Sequence, residues 1–448
     1  MSALSTFDRP YVVSWNLTYR CNLACEHCYL DAGPGKVLTP AFNDRSELPT
    51  EQCFRVIDQI AAFAPECVTI LTGGEPLLRR DIVEIIRYGA AKGLWIVVGT
   101  NGVKITENLA QILLAEGVRG LALSLDALDA GRHDGFRRVQ GAWENTVEGA
   151  KILTRVGLPF IVQTTVGGHN RHELAEIAAF AHDELGAKVW NLYFLVPSGR
   201  GSFVSDLAPA EYDLVLGELA EIQRSWASKM LVNAKCAPHF IRTLLTQDAP
   251  APFPKSFGGG AGGCPAGTHY LGIRPNGDVT PCPYLPLFAG NLTASGEMGL
   301  REIWDASDLF VQLRRRDHLG GRCGPCELNN LCGGCRARAY GMTGDVLAED
   351  PLCTHEPGSL QAAVDRLRPA DVGAMEYGQP ATAAAALTWE PEAKERMQRI
   401  PAFVRGMVTR AVESWCEKNG VTVVSGPVLE EIRARMPTPK VFGMGKPT

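Results

Sequence analysis

The chain has 448 residues, 46% of them hydrophobic and 21% charged, with 44 Lys and Arg against 49 Asp and Glu and a formal net charge of −5. That length allows more than one domain with a sizeable core, and the mild acidity gives no electrostatic argument for nucleic acid or an anionic membrane as a partner. The apolar runs are strand-sized, too short for a membrane span, and the first residues, Met-Ser-Ala-Leu-Ser-Thr-Phe-Asp, lack the basic and apolar regions of a secretory leader, so a cytoplasmic protein is expected.

In chain order, strands are expected at Val12–Leu17, Val68–Leu71, Leu94–Val98, Gly120–Leu125, Pro159–Val166 and Lys188–Val196. Amphipathic helices are expected between them, at Glu51–Phe63, Asp81–Ala91, Glu107–Ala115, Trp143–Val156 and Arg171–Leu185. Six strands alternating with helices predict an α/β fold, a partial (β/α)6 TIM-like barrel over residues 1–205 with its chemistry at the C-terminal strand ends. A helix near Pro209–Met230 and a linker rich in Pro and Gly fill 206–263; the run Gly258–Gly263 lacks the Lys-Ser/Thr and the strand–helix setting of a phosphate loop. Residues 264–355 are cysteine-rich, with a hairpin signal at Pro275-Asn276-Gly277-Asp278. An Ala-rich connector over 356–388 leads to a small helical unit over 389–448.

Fourteen cysteines without an export signal point to metal or redox chemistry, not a disulfide framework. Cys21, Cys25 and Cys28 lie on one loop after the first strand. Three thiolates so spaced can hold three irons of a 4Fe–4S cube and leave the fourth without a protein ligand, whereas a structural zinc site asks for four closed ligands and His27 is badly placed to be one. Farther on come Cys264, Cys282, Cys323, Cys326, Cys332, Cys335 and Cys353, seven thiols that can bind more than one cluster but cannot fill two four-thiolate sites. Zinc ribbons or a fused electron-carrier module are the alternatives for this segment. Cys53, Cys67, Cys236 and Cys416 are scattered; Cys236 is near enough in sequence to be an eighth ligand, or a buried structural thiol.

The CxxxCxxC run with the following aromatic Tyr29 resembles the signature of the radical S-adenosylmethionine (SAM) superfamily, and Gly73-Gly74-Glu75-Pro76 after the second strand resembles its GGEP motif. The resemblance implies a SAM-binding 4Fe–4S cluster on Cys21, Cys25 and Cys28, SAM contacts from Tyr29, Gly73, Gly74, Glu75 and Pro76, and further contacts from Asn101, Ser124, Asp126 and Arg137, the last facing the SAM carboxylate. Residues 264–355 are similar to the SPASM extension, although two residues, not three, separate Cys332 from Cys335. That likeness implies one auxiliary 4Fe–4S cluster on Cys323, Cys326, Cys332 and Cys353 and another on Cys264, Cys282 and Cys335, with its fourth site open or filled; Cys236, the spare thiol nearby, is a candidate for that place. An electron donor such as flavodoxin or ferredoxin is implied as a partner.

The runs Tyr193–Gly201 and Cys332–Tyr340 resemble the branch that makes haem d1 and haem through siroheme. The segment from Trp389 to Val421 resembles the small C-terminal domain of light-independent protochlorophyllide reductase. Both imply a carboxylated tetrapyrrole as substrate, for which Arg200, Arg274, Arg336 and Arg338 are candidate carboxylate partners. The alternatives are peptide modification, as in many SPASM enzymes, and a non-catalytic electron-transfer or zinc protein.

Overall fold

The computed structural model describes residues 9–34, 46–203, 207–227, 229–247, 263–293, 299–365, 387–398, 408–409, 412–413, 415–416 and 419–435. The leader region 1–8, most of the glycine-rich linker and most of the Ala-rich connector fall outside them. Six parallel strands stand where the residue pattern predicts them: β1 (Val12–Asn16), β2 (Val68–Thr72), β3 (Trp95–Thr100), β4 (Gly120–Ser124), β5 (Phe160–Val166) and β6 (Val189–Phe194). Between them run α1 (Thr50–Phe63), α2 (Ile82–Ala91), α3 (Glu107–Ala115), α4 (Ala130–Arg137), α5 (Ala142–Val156) and α6 (Leu174–Ala179). Local chemistry sets several ends. Thr106 caps α3 by accepting from the Leu109 N–H, Asp129 caps α4 by accepting from the Arg132 N–H, and Gly157, in the left-handed region, ends α5.

Three features depart from the expected pattern. The helix foreseen from Arg171 starts at Leu174, because the Asn170 side chain accepts from the Gly167 N–H and donates to the Asp126 and Thr165 carbonyls, organising a turn instead. The stretch taken as bridging helix and linker holds α7 (Pro209–Trp226), a seventh parallel strand β7 (Leu231–Lys235) paired with β6, and α8 (Phe240–Thr246). In the cysteine-rich unit, β8 (Tyr270–Ile273) lies parallel to β1 and turns through the predicted hairpin into antiparallel β9 (Asp278–Thr280), then β10 (Gly290–Asn291). Among the described residues these strands form one sheet in the order β10-β9-β8-β1-β2-β3-β4-β5-β6-β7. The helices α9 (Leu300–Ala306), α10 (Asp308–Arg314) and α11 (Arg336–Thr343) complete the unit.

Alternation along the strands separates two environments. Val13, Trp15, Ile96, Val98, Leu121, Leu123, Phe160, Val162, Trp190 and Leu192 join the main core between sheet and helices; each such side chain contributes about 1.5–3 kcal/mol by leaving water. Opposite, on the concave face, Val12, Val68 and Val97 with Trp95 and Tyr270 close the N-terminal end of the barrel. Nearer the C-terminal ends that face turns polar: the Gln163 amide donates to the Tyr193 hydroxyl (3.2 Å), Asn233 to Asn191 (2.9 Å), and Lys235 lies beside Tyr193 in register. Near the C-terminus, helices at Pro391–Gln398 and Gly426–Arg435 flank a short parallel pair, Thr388–Trp389 with Val423–Val424, around a small core of its own that includes Ala393, Val412, Cys416 and Ile432.

Candidate functional site

Beyond β1 the chain winds over the C-terminal strand ends and gathers Cys21, Cys25 and Cys28 around one apolar patch with Leu23 and Ala142. Hydrogen-bond donors face each sulfur: the Leu23 N–H at 3.4 Å from Cys21 Sγ, the Ala32 N–H at 3.3 Å from Cys28 Sγ, and Arg137 Nη1 at 3.6 Å from Cys25 Sγ. Asn101 Nδ2 adds a longer contact of 3.8 Å to Cys21 Sγ. Burial pushes the Cys21 thiol up to about 12 and raises Cys25 as well, Arg137 opposing the rise at Cys25. Three thiols so close together, one buried and two half-buried, would lose their protons only to a cationic partner, and the donors aimed at their sulfurs suit the anionic, sulfur-rich edge of an iron–sulfur cube. His27 is no competing ligand: its ring stacks on Phe136 with centroids 4.3 Å apart, and burial lowers it to about 3.

The Gly-Gly pair after β2 is dictated by close backbone approach. The Gly74 N–H donates to the Thr18 carbonyl (2.7 Å) and the Glu75 N–H to the Arg20 carbonyl (2.8 Å), prolonging the β1–β2 pairing up to the cysteine loop. A Cβ on Gly74 would lie 2.3 Å from the Arg20 oxygen, and Gly73 has φ +136 with a Cβ position 2.7 Å from the Thr18 oxygen. Glu75, fully buried, accepts from the Leu77 N–H (3.1 Å), the Thr100 hydroxyl (2.8 Å) and the Asn101 N–H (2.8 Å). Its carboxylate therefore ties the end of β2 to that of β3. Burial raises it to about 7, although all three donors favour the anion. Pro76 starts a single helical turn after it.

Ser124 ends β4, half-buried. Arg137, expected at the SAM carboxylate, sits against the cluster loop: Nε and Nη2 both lie 2.6 Å from Asp126 Oδ2 while Nη1 reaches Cys25. Burial alone would raise the Asp126 carboxyl, but Arg137 leads the charges that outweigh it and hold it at about 2. Tyr29 donates to Asn16 Oδ1 (2.7 Å), and its ring touches Tyr284, centroids 4.7 Å apart.

The seven later cysteines separate into a group of four and a group of three, the latter joined by Cys236. Cys323, Cys326, Cys332 and Cys353 line one cavity with His239, Arg242 and Arg322. Cys264, Cys282 and Cys335 share a second cluster of side chains, against which Cys236 packs. Backbone N–H groups again face sulfur, Leu328 to Cys326 (3.4 Å) and Gly334 to Cys332 (3.5 Å). All fourteen cysteines are free of disulfides. The donor set, all thiol, fits clusters at both places.

All four arginines expected at substrate carboxylates have structural partners. Arg200 braces the cysteine loop, donating to the Cys25 carbonyl (2.9 Å), Asp31 (2.8 Å) and the Ala32 carbonyl (2.7 Å). Arg336 is buried on the Val346 and Ala348 carbonyls. Arg338 is buried in a pair with Asp350. A charged residue type does not by itself reveal that carbonyls or a carboxylate will surround it. Arg274 is also buried and lies near Tyr19 and Tyr29 at the barrel mouth. Residue patterns also missed β7 and with it Lys235, as well as the Tyr29–Tyr284 contact.

An open parallel barrel carrying a three-cysteine loop at its mouth, joined to a unit with seven further cysteines, is the framework of an iron–sulfur radical enzyme. The model of the radical SAM superfamily matches residues 15–181, that of an iron–sulfur cluster-binding SPASM domain residues 264–336, and that of the protochlorophyllide reductase 57 kD subunit residues 389–433. AdoMet-dependent heme synthase of Methanosarcina barkeri is 40% identical over 356 residues, covering 78% of this chain and 98% of that protein. Mycofactocin maturase MftC of Mycolicibacterium smegmatis is 32% identical, covering 82% and 88%. The crystal structure of Streptococcus suis SuiB bound to S-adenosylmethionine shares the fold, with a TM-score of 0.59 at 17% identity and 78% of each chain covered. The chain belongs to the radical SAM superfamily, in its SPASM-bearing branch. It is an enzyme whose cofactors are 4Fe–4S clusters and SAM, and no helix among the described residues is long and apolar enough to cross a membrane.

Proposed function

We propose that this enzyme modifies a side chain of a carboxylated tetrapyrrole, of the haem or haem d1 precursor type, by abstracting hydrogen from it. The observation that carries the reading is the 40% identity to a heme synthase across 98% of that protein's length. The C-terminal likeness to a protochlorophyllide reductase subunit supports it from an independent segment. When bound on Cys21, Cys25 and Cys28, the cluster would supply the electron that cleaves SAM and so provide a 5′-deoxyadenosyl radical.

The chain's own residues have separate tasks in this reading. Gly73 and Gly74 let the GGEP turn pack against the cysteine loop, Glu75 fixes β3 and with it Asn101, and Arg137 with Asp126 fixes Cys25. Tyr29, Pro76 and Ser124 border the place for SAM. The polar concave face, with Gln163, Tyr193 and Lys235, leads from that place into the barrel; it offers a flat carboxylated substrate aromatic rings and an amine that burial lowers to about 7 and a carboxylate would help to charge. A cytoplasmic flavodoxin or ferredoxin is the electron donor in this reading. The 32% identity to a peptide maturase favours a second reading, peptide modification. The experiment is an anaerobic assay of reconstituted enzyme with SAM and dithionite, offered siroheme-derived porphyrinoids and coproporphyrins in one arm and peptides in the other, both followed by mass spectrometry. A changed porphyrinoid mass with stoichiometric 5′-deoxyadenosine is expected; a modified peptide with no porphyrinoid turnover refutes the tetrapyrrole reading.

A further inference from the structure

We infer that His239 donates a hydrogen bond from Nε2 to a sulfur of the cluster held by Cys323, Cys326, Cys332 and Cys353, and so makes that cluster easier to reduce. In this assignment the histidine tunes the cluster and does not ligate it. His239 stands between β7 and α8, outside the SPASM match over 264–336, on the wall of the cavity that those four cysteines line. The residue is only 1% exposed, and among the described residues its Nε2 has no hydrogen-bond partner. A buried ring nitrogen left in that state is rare and costly, so its place beside an empty-handed cavity wall asks for an acceptor there.

The neighbours fix which nitrogen carries the proton. In a neutral imidazole one nitrogen donates and the other accepts. Nδ1 lies 2.9 Å from the hydroxyl of Tyr212 on α7, the two rings standing edge to face. Nε2 lies 3.7 Å from Asp350 Oδ2, too far for a bond, and that oxygen already accepts from the Cys335 N–H (2.7 Å) and Arg338 Nη1 (2.9 Å). Were Nε2 the accepting nitrogen, its lone pair would face a carboxylate. With the hydrogen on Nε2 the carboxylate field is favourable, and the buried Tyr212 hydroxyl donates to Nδ1. Other polar groups on the wall are engaged elsewhere: Arg242 pairs with Asp213, Arg322 with Glu349, and His355 meets Glu327 and Ser359. A cluster gains negative charge when it takes an electron, so a donor on its sulfur stabilises the reduced form more than the oxidised one. A residue of the barrel side thereby sets how readily this auxiliary cluster is reduced.

Full-length protein with Cys21, Cys25 and Cys28 changed to Ala, reconstituted anaerobically, isolates the auxiliary clusters for the test. With isotope-labelled histidine rings, pulsed electron paramagnetic resonance of this reduced parent should show a ring nitrogen coupled to a cluster, and His239→Gln should remove the coupling. Redox titration then reads the potentials. His239→Gln, whose amide still donates at a similar reach, should keep both close to the parent's, as should Tyr212→Phe. Changing His239 and Tyr212 together to Phe removes the donor without orphaning the hydroxyl. It should make one cluster, and only one, about tenfold harder to reduce, a fall of about 59 mV for one electron. The inference is overturned by a parent without the histidine coupling, by loss of iron from His239→Gln, or by unmoved potentials in the double variant; should the double variant itself shed iron, the parent's coupling decides. The inference rests on the iron–sulfur reading of the four-cysteine cavity, and zinc there in the parent overturns both, whereas unmoved potentials leave that reading standing.

Discussion

Replacing Arg338 by Met tests how the barrel is held to the cysteine-rich unit. Arg338 Nη1 lies 2.9 Å from Asp350 Oδ2, and Nη2 donates to the carbonyls of Leu195, just past β6, and Cys236, just past β7. Asp350 is fully buried and accepts otherwise from the Cys335 N–H (2.7 Å) and the Leu352 N–H (3.1 Å). Burial pulls its carboxyl upward, and Arg338 leads the groups that overcome this and hold it down. Met fills much of the volume but strands a buried carboxylate and removes the donor from two carbonyls. Breaking such a pair costs about 3–5 kcal/mol, a factor on the order of a hundred to several thousand in an equilibrium constant. The assay is anaerobic urea unfolding of the holoenzyme, followed by far-ultraviolet circular dichroism and by iron release. Arg338→Met should shift both curves to lower urea. Arg338→Lys should recover only part, since one ammonium cannot span a carboxylate and two carbonyls. Arg338→Met with Asp350→Asn should be better than the sum of the single variants, because no orphan charge remains. A single variant within about 0.5 kcal/mol of wild type, or strictly additive singles, refutes the reasoning.

Changing Cys21, Cys25 or Cys28 to Ala should abolish 5′-deoxyadenosine formation while leaving the auxiliary iron in place, measured by chromatography and iron analysis. Gly74→Ala, whose Cβ would meet the Arg20 oxygen at 2.3 Å, should weaken SAM binding at least tenfold by displacing the cysteine loop; isothermal titration checks it. Glu75 stands at about 7 against an ordinary 4.5, so the folded state holds its proton where the unfolded state has lost it, and stability should fall by up to about 3 kcal/mol as pH rises across that interval. Glu75→Gln should flatten that slope, read from urea midpoints between pH 5 and 8. Lys235→Met should raise the KM for a carboxylated porphyrinoid several-fold while sparing uncoupled SAM cleavage; an unchanged KM removes Lys235 from the substrate site.

The barrel was legible because its signals are local. Runs of Val, Ile and Leu bounded by Gly and charged residues mark β2 to β4, and cysteine spacing marks the loops that need three or four sulfurs together. β7 escaped because Leu-Val-Asn-Ala-Lys carries two polar side chains for the concave face and follows a helix with little warning. The ion pair of Arg137 and Asp126 crosses from α4 to the end of β4, and that of Arg338 and Asp350 joins α11 to the loop after it. Neither leaves a trace in residue type. For the same reason Arg200, Arg336 and Arg338 looked like carboxylate binders: sequence reveals a guanidinium, while only the fold reveals the carbonyls it faces.

The first cysteine loop and the loop that carries Cys282 also meet through aromatic side chains. Tyr29 follows Cys28 directly, and Tyr284 lies two residues beyond Cys282; their rings meet at 4.7 Å, and Tyr193 on the concave face lies 6.5 Å from Tyr284. The loop that carries Cys282 thus packs both on the residue next to Cys28 and on the concave face of the barrel. Tyr29 is further pinned to β1 through Asn16, so its ring cannot swing away without breaking a 2.7 Å hydrogen bond. Tyrosine suits this position because each ring gives a rigid apolar face for packing and a hydroxyl that can be anchored at one end. The concave face, the first cysteine loop and the loop that carries Cys282 thus share one set of ring contacts.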